Sequence, residues 1–265
     1  MTGNPGVTNM YPPVTEVACG LVFEPITSLK VPYFGLFWDE FRAGYPACQH
    51  ASPLGFSPSV IDESVGFPLP LPRIWFLSKP ENILIQLQTD RMILNWRKLK
   101  LDDKYPKYEA VMQEFRTKLN LFSDFLGRYE LGALKPVTCE LTYINLIPKG
   151  QGWEKPGELS NLLGEFCWRS SNPRFLSEPR DIGLRFVFEI PDSRGSLTFS
   201  IGQKTRVSDQ VPTLVLQLTA NGLGPDHSMD AVWGWFENAH IMINGAFEEL
   251  TTPSIRELWK QTSLV

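Results

Sequence analysis

The stretch Ile83-Leu-Ile-Gln-Leu-Gln-Thr-Asp-Arg-Met-Ile-Leu-Asn-Trp96 decides the fold class. Ile83, Ile85 and Leu87 alternate with polar Gln86 and Gln88, the period of two of a strand with one drier face. Thr89-Asp90-Arg91 turns the chain, and Met92–Trp96 returns. Strands joined by so short a polar turn pair antiparallel. Upstream, Ile74–Leu77 is a third strand, with Lys79-Pro-Glu-Asn as the turn between them. Downstream, Tyr108, Val111, Met112, Phe115, Leu119, Phe122 and Leu126 recur at spacings of three and four, which predicts an amphipathic helix over 106–126. Gly127 sits where a C-terminal cap belongs.

Earlier in the chain, Val14–Phe23 reads as a strand ended by Pro25. Phe34, Phe37, Trp38 and Phe41 share one helical face, with Pro32 in the first turn and Gly44 at the stop. Residues 45–72, rich in Pro, Ser and Gly, read as a long loop. The second half repeats this order. It has a strand over 137–147, a short helix over 157–168, and a Pro/Ser/Arg-rich loop over 169–181. Three strands follow around Leu184–Ile190, Leu197–Ile201 and Leu214–Leu218, then a long helix over 229–250 and a last short helix behind Thr252-Pro253.

The expected fold is α+β. Two pseudo-repeats of strand, helix, three strands and long helix place antiparallel sheet against long helices, an order similar to TATA-binding-protein-like and helix-grip folds. The halves, 1–130 and 131–265, are expected to form one compact unit. Topology of this kind carries no function by itself.

Composition narrows the function classes. Of 265 residues, 43% are hydrophobic and the net charge is −4, which excludes a disordered chain. A pI near 5.5 argues against a nucleic-acid partner. Met1-Thr-Gly-Asn-Pro-Gly has no basic start or apolar run, so no signal peptide is expected, and no apolar stretch reaches membrane-spanning length. Cys19, Cys48, Cys139 and Cys167 lie far apart without a C-x-x-C pair, which suits reduced thiols in a cytoplasmic protein.

Motifs for chemistry are sparse. His50 follows Cys48 by two residues, but no cluster completes a metal site. Glu237 and His240 have the Glu-x-x-His spacing of a di-iron helix without a second copy. Gly222-x-Gly224 lacks a third glycine and meets Pro225, so Asp226 or Ser228 reads as a helix cap rather than part of a phosphate cradle. The acid pairs Asp102–Asp103 and Glu248–Glu249 are adjacent in sequence and point apart. Basic residues Arg91, Arg97, Lys98, Lys100 and Lys104 surround Trp96, and read as a solvated strand end. We expect no metal, no cofactor and no catalytic constellation.

Trp233 and Trp235, two apart on a helix, cannot both face one core, so one is expected at a partner or dimer surface. Arg185, Glu189, Glu237 and His240 are the candidates for a converging polar cluster.

Pro12-Pro-Val-Thr-Glu-Val-Ala-Cys-Gly-Leu-Val-Phe-Glu24, Glu140-Leu-Thr-Tyr-Ile-Asn145 and Ala246-Phe-Glu-Glu-Leu-Thr-Thr-Pro-Ser-Ile-Arg-Glu-Leu-Trp259 resemble a sporadically distributed family of bacterial proteins of about this length. The Phe37-Trp38 helix fits the same pattern. The resemblance runs from about Pro12 to Trp259. Patchy occurrence implies mobile genes, such as defence or toxin–antitoxin neighbourhoods, and transfers no catalytic residue. Glu16 and Glu140, acids inside strands at equivalent places in the two halves, are expected to face water or a basic partner.

Three functions fit these observations. The favoured one is a non-catalytic binding or assembly protein, such as an antitoxin, immunity or defence component, holding another protein or itself as a homodimer. The alternatives are a small-ligand sensor with a pocket between sheet and helices, and an enzyme with a site assembled from scattered residues.

Overall fold

The computed structural model describes residues 14–55, 71–100, 103–168, 175–192 and 194–262. The chain divides into two units. One gathers Glu16–Leu141 and Asn221–Phe236, and the other gathers residues 14–15, 142–220 and 237–262.

In the first unit, β1 (Val14–Phe23), β2 (Ala47–Ala51), β3 (Arg73–Leu77), β4 (Ile83–Gln88) and β5 (Arg91–Arg97) form antiparallel sheet in the order β2-β3-β4-β5-β1. The first residues of β6 (Pro136–Pro148) follow β1. Register settles which side chains share a face. Phe76 opposes Ile85, Ile85 opposes Leu94, and Leu94 opposes Cys19. These residues are buried, with α2 (Tyr108–Arg128) packed against β5. The apolar stripe of α2 meets β1 where Phe122 lies 6.0 Å from Phe23. α1 (Val31–Asp39) brings Phe37 to 5.0 Å from Phe122, and the turn after it sets Phe41 5.4 Å from Phe76. Each such ring, fully buried, contributes about 1.5–3 kcal/mol.

Three local expectations need correction. The loop over 45–72 contains β2, which pairs with β3 from Ala47↔Leu77 to Ala51↔Arg73. The segment Ala-Cys-Gln-His-Ala is largely exposed at a sheet edge, so it carries no apolar alternation. Gly127 lies inside α2 rather than capping it. The left-handed residue is Glu130 (φ 51°), and the Leu131 N–H donates to the Leu126 carbonyl at 2.9 Å, closing a Schellman motif. The helix expected over 157–168 is a 3₁₀ turn, Pro156–Asn161. The chain then leaves helical geometry to bridge Leu163 to Thr251. The loop over 169–181 falls partly outside the described residues.

In the second unit, the rest of β6 is followed by β9 (Pro212–Gly222), β8 (Gly195–Thr205) and β7 (Gly183–Ile190). β7 opposes β8 with Phe186↔Phe199 and Leu184↔Ile201. α3 (Met229–Leu250) and α4 (Pro253–Thr262) supply Ile243, Phe247, Ile255 and Trp259 to the core. Phe247 and Trp259 pack at 6.0 Å. Thr252 caps α4, its hydroxyl accepting from Ile255 N–H at 3.3 Å. The start of α3 belongs to the first unit, where Ser228 caps it through Ala231 N–H at 3.2 Å, with Asp226 accepting from Ser228 N–H at 2.8 Å. The glycine-containing loop before α3 is therefore a capping loop. No described helix is long and apolar enough to cross a membrane.

Candidate functional site

Strand alternation sends every second side chain of β3, β4, β5 and β1 away from α2. That outer face is polar in a specific way. Arg73 Nη1 donates to Gln86 Oε1 at 2.7 Å, Gln86 Nε2 to Asn95 Oδ1 at 2.6 Å, and Asn95 Nδ2 to Glu16 Oε1 at 2.5 Å. The chain of bonds crosses four strands diagonally. A guanidinium stands at one end and a carboxyl at the other, so every amide dipole points the same way and the bonds reinforce one another. Gln86 and Asn95 are only 7% and 5% exposed.

The two ends are electrostatically unlike. Burial pushes the Glu16 carboxyl above its ordinary range, against the Asn95 hydrogen bond and the Arg97 charge, which lower it. Burial, with the Arg91 charge nearby, lowers Arg73 from its ordinary value. The Arg73 guanidinium sits over the Trp75 ring at 5.5 Å. Arg91 is held by Asp90 at 2.8 Å and also feels Glu140. Glu16 and Glu140 thus both lie near basic side chains of this face.

Among the described residues, three buried donors of this face have no hydrogen-bond partner: Arg73 Nε, Trp75 Nε1 and Arg97 Nε. Beyond Arg73, the Gln88 side chain makes reciprocal bonds with the Leu54 backbone at 2.9 and 3.1 Å. A hollow of about 280 Å³ opens there, lined by Pro53, Leu54, Gln88 and Asp90 among others.

The residues singled out from sequence are placed differently. Trp235 is buried, 3% exposed, against Phe236, so it forms no surface. Trp233 is half-buried, with Arg116 over its ring at 4.7 Å. Arg185, Glu189, Glu237 and His240 do not converge. Register aligns Phe186 with Phe199, on the face that carries Tyr143, whereas Arg185 and Glu189 alternate onto the opposite face. His240 turns inward, its Nδ1 2.9 Å from the Tyr143 hydroxyl and its Nε2 3.2 Å from Asn244 Nδ2. Glu237 is exposed. His50 and Cys48 are exposed on β2, and no cluster of three or more potential metal ligands occurs among the described residues.

The polar diagonal itself was not singled out from sequence. Its signal was two amides, Gln86 and Asn95, inside apolar strands on either side of one turn.

No family model and no curated protein matches the chain. Among solved structures it is similar to the di-domain ARO/CYC StfQ from the steffimycin biosynthetic pathway, at 10% identity over 94% of this chain and 99% of that one, with a TM-score of 0.19. A likeness of that size carries neither fold nor activity. The chain itself defines an α+β protein rich in antiparallel sheet, with a polar sheet face in its first unit.

Proposed function

We propose that this chain is a non-catalytic binding protein that holds a polypeptide partner on the polar face of β1, β3, β4 and β5. The observation that carries this reading is the half-exposed group Arg73, Trp75 and Arg97 on one sheet face, whose Nε and Nε1 donors have no hydrogen-bond partner among the described residues. A donor without an acceptor costs about 1–3 kcal/mol, and a partner segment that presents acceptors to these half-exposed side chains recovers part of it as they reorient. Arg and Trp are also the side chains that most often anchor interfaces. The partner is an acidic or carbonyl-presenting segment. The resemblance to a patchily distributed bacterial family fits a cytoplasmic antitoxin, immunity or defence role. The order of elements supports two related halves with a helix-grip-like arrangement.

The test is affinity purification from the native host of the wild type beside a Trp75→Ala/Arg73→Met variant. The wild type is expected to retain a stoichiometric protein that the variant loses while keeping a folded circular dichroism spectrum, with a lower melting temperature because Arg73→Met strips Gln86 of a donor. Identical co-purifying sets would overturn the reading.

One observation favours a second reading, a small-ligand site in the other unit. Asn145 and Asn244 bring buried carbonyl oxygens without partners among the described residues, and Asn244 bonds the His240 that contacts Tyr143. A ligand there would be a hydrogen-bond donor.

A further inference from the structure

β7 is the last strand of its sheet, and among the described residues no strand pairs with its outer edge. Such an edge normally carries a proline, an inward charge or a bulge that blocks pairing. Gly183-Leu-Arg-Phe-Val-Phe-Glu-Ile190 has no proline and pairs with β8 without interruption. Val187 and Phe188 are 50% and 40% exposed.

The register decides what the edge can accept. The Gln203 N–H donates to the Ile182 carbonyl at 3.3 Å, so even-numbered residues turn their backbone groups toward β8. Gly183, Arg185, Val187 and Glu189 therefore direct N–H and C=O outward. An antiparallel strand added here must align odd residues with its own hydrogen-bonding positions.

From this we infer that β7 pairs with β7 of a second copy of this chain about a two-fold axis through Val187. This interface does not depend on the reading given to the polar face of the other unit. Centred on Val187, the pairing sets Arg185 opposite Glu189 of the second copy, and Glu189 opposite Arg185. Phe186 then faces Phe188 of the second copy, and Leu184 faces Ile190. Of the registers that keep odd residues hydrogen-bonded, this one places opposite charges directly across from each other. The strand is self-complementary in backbone, charge and apolar surface, as a two-fold interface requires. Arg185 and Glu189, which do not converge with His240 inside one chain, converge across two.

Sedimentation velocity of the purified full chain, up to about 100 μM, tests this. A reversible homodimer is expected. Arg185→Glu sets like charges opposite each other twice and is expected to weaken the dimer about ten-fold or more. Arg185→Glu combined with Glu189→Arg restores opposite pairs and is expected to return the affinity to within a few-fold of wild type. Val187→Pro removes an outward amide that β8 does not use, and is expected to leave a monomer with an unchanged circular dichroism spectrum. A wild type that stays monomeric overturns the inference. So does a dimer indifferent to Val187→Pro, or a double variant no better than Arg185→Glu alone.

Discussion

Gln86 Nε2 lies 2.6 Å from Asn95 Oδ1, and this bond joins the guanidinium of Arg73 to the carboxyl of Glu16 through two buried amides. Neither amide can reverse without setting donor against donor or acceptor against acceptor at one end. The charged ends therefore fix the orientation of both. Asn95→Ala strips Gln86 of its acceptor and Glu16 of its donor, and is expected to cost about 2–4 kcal/mol. Urea unfolding measures it. Asn95→Asp keeps the acceptor and sets a carboxylate against Glu16, and should also destabilise. Equal stability of all three proteins would show that the diagonal does not hold the face.

Glu16 gives the pH dependence. Its folded-state pKa is raised above the ordinary 4.5, with burial as the largest cause. The folded chain therefore holds this proton more tightly than the unfolded chain. The stability Glu16 contributes is present in full below about pH 4.5 and is lost as pH rises through the folded value. Glu16→Gln, which keeps an acceptor oxygen for Asn95, should match wild type at pH 4 and gain on it above that window. Parallel stability curves would contradict the assignment.

The end of α2 tests the capping correction. Gly127 is interior, with nothing within 4 Å of an added Cβ, so Gly127→Ala should stabilise by about 0.5–1 kcal/mol. Glu130 holds the left-handed position, where Glu130→Gly should stabilise by a similar amount. Thermal unfolding of both reads the result. A loss in Gly127→Ala would restore Gly127 as the cap.

The thiols divide by burial. Burial pushes Cys139 up to about 12 and Cys19 higher still, whereas Cys48 and Cys167 are exposed. Iodoacetamide on the folded protein should modify Cys48 and Cys167 within minutes and spare Cys19 and Cys139 until denaturant is added. Peptide mass mapping distinguishes the pairs.

Asn145 is buried on β6, donating to the Leu216 carbonyl at 3.3 Å while its own oxygen has no partner among the described residues. A half-satisfied buried amide adds little stability over an apolar side chain of the same shape. Asn145→Leu should leave the melting temperature unchanged or raise it. A strong loss would mean that the oxygen is partnered in solution, by water or a ligand.

These features were legible in the sequence to different degrees. The alternation of Leu184, Phe186 and Phe188 placed β7, and Ser228 with the stripe from Val232 to Phe247 placed α3, because burial writes its period directly into residue type. β2 left no such mark, since its backbone pairing needs no apolar side chain. The Schellman end at Glu130 was obscured because glycine statistics pointed to Gly127. Glu16 stood out as an acid in a strand, but its partner Asn95 is 79 positions away and meets it only through the β1–β5 register. The same alternation that located β7 already separated Arg185 and Glu189 from the face that His240 meets.

Native mass spectrometry of the protein taken at natural abundance from its host reads partner binding at the polar face without any assumption about the partner. A species heavier than the monomer or homodimer by one further polypeptide is expected, lost in the Trp75→Ala/Arg73→Met variant. Bare chain masses alone, or a heteromeric complex that survives in that variant, would contradict it.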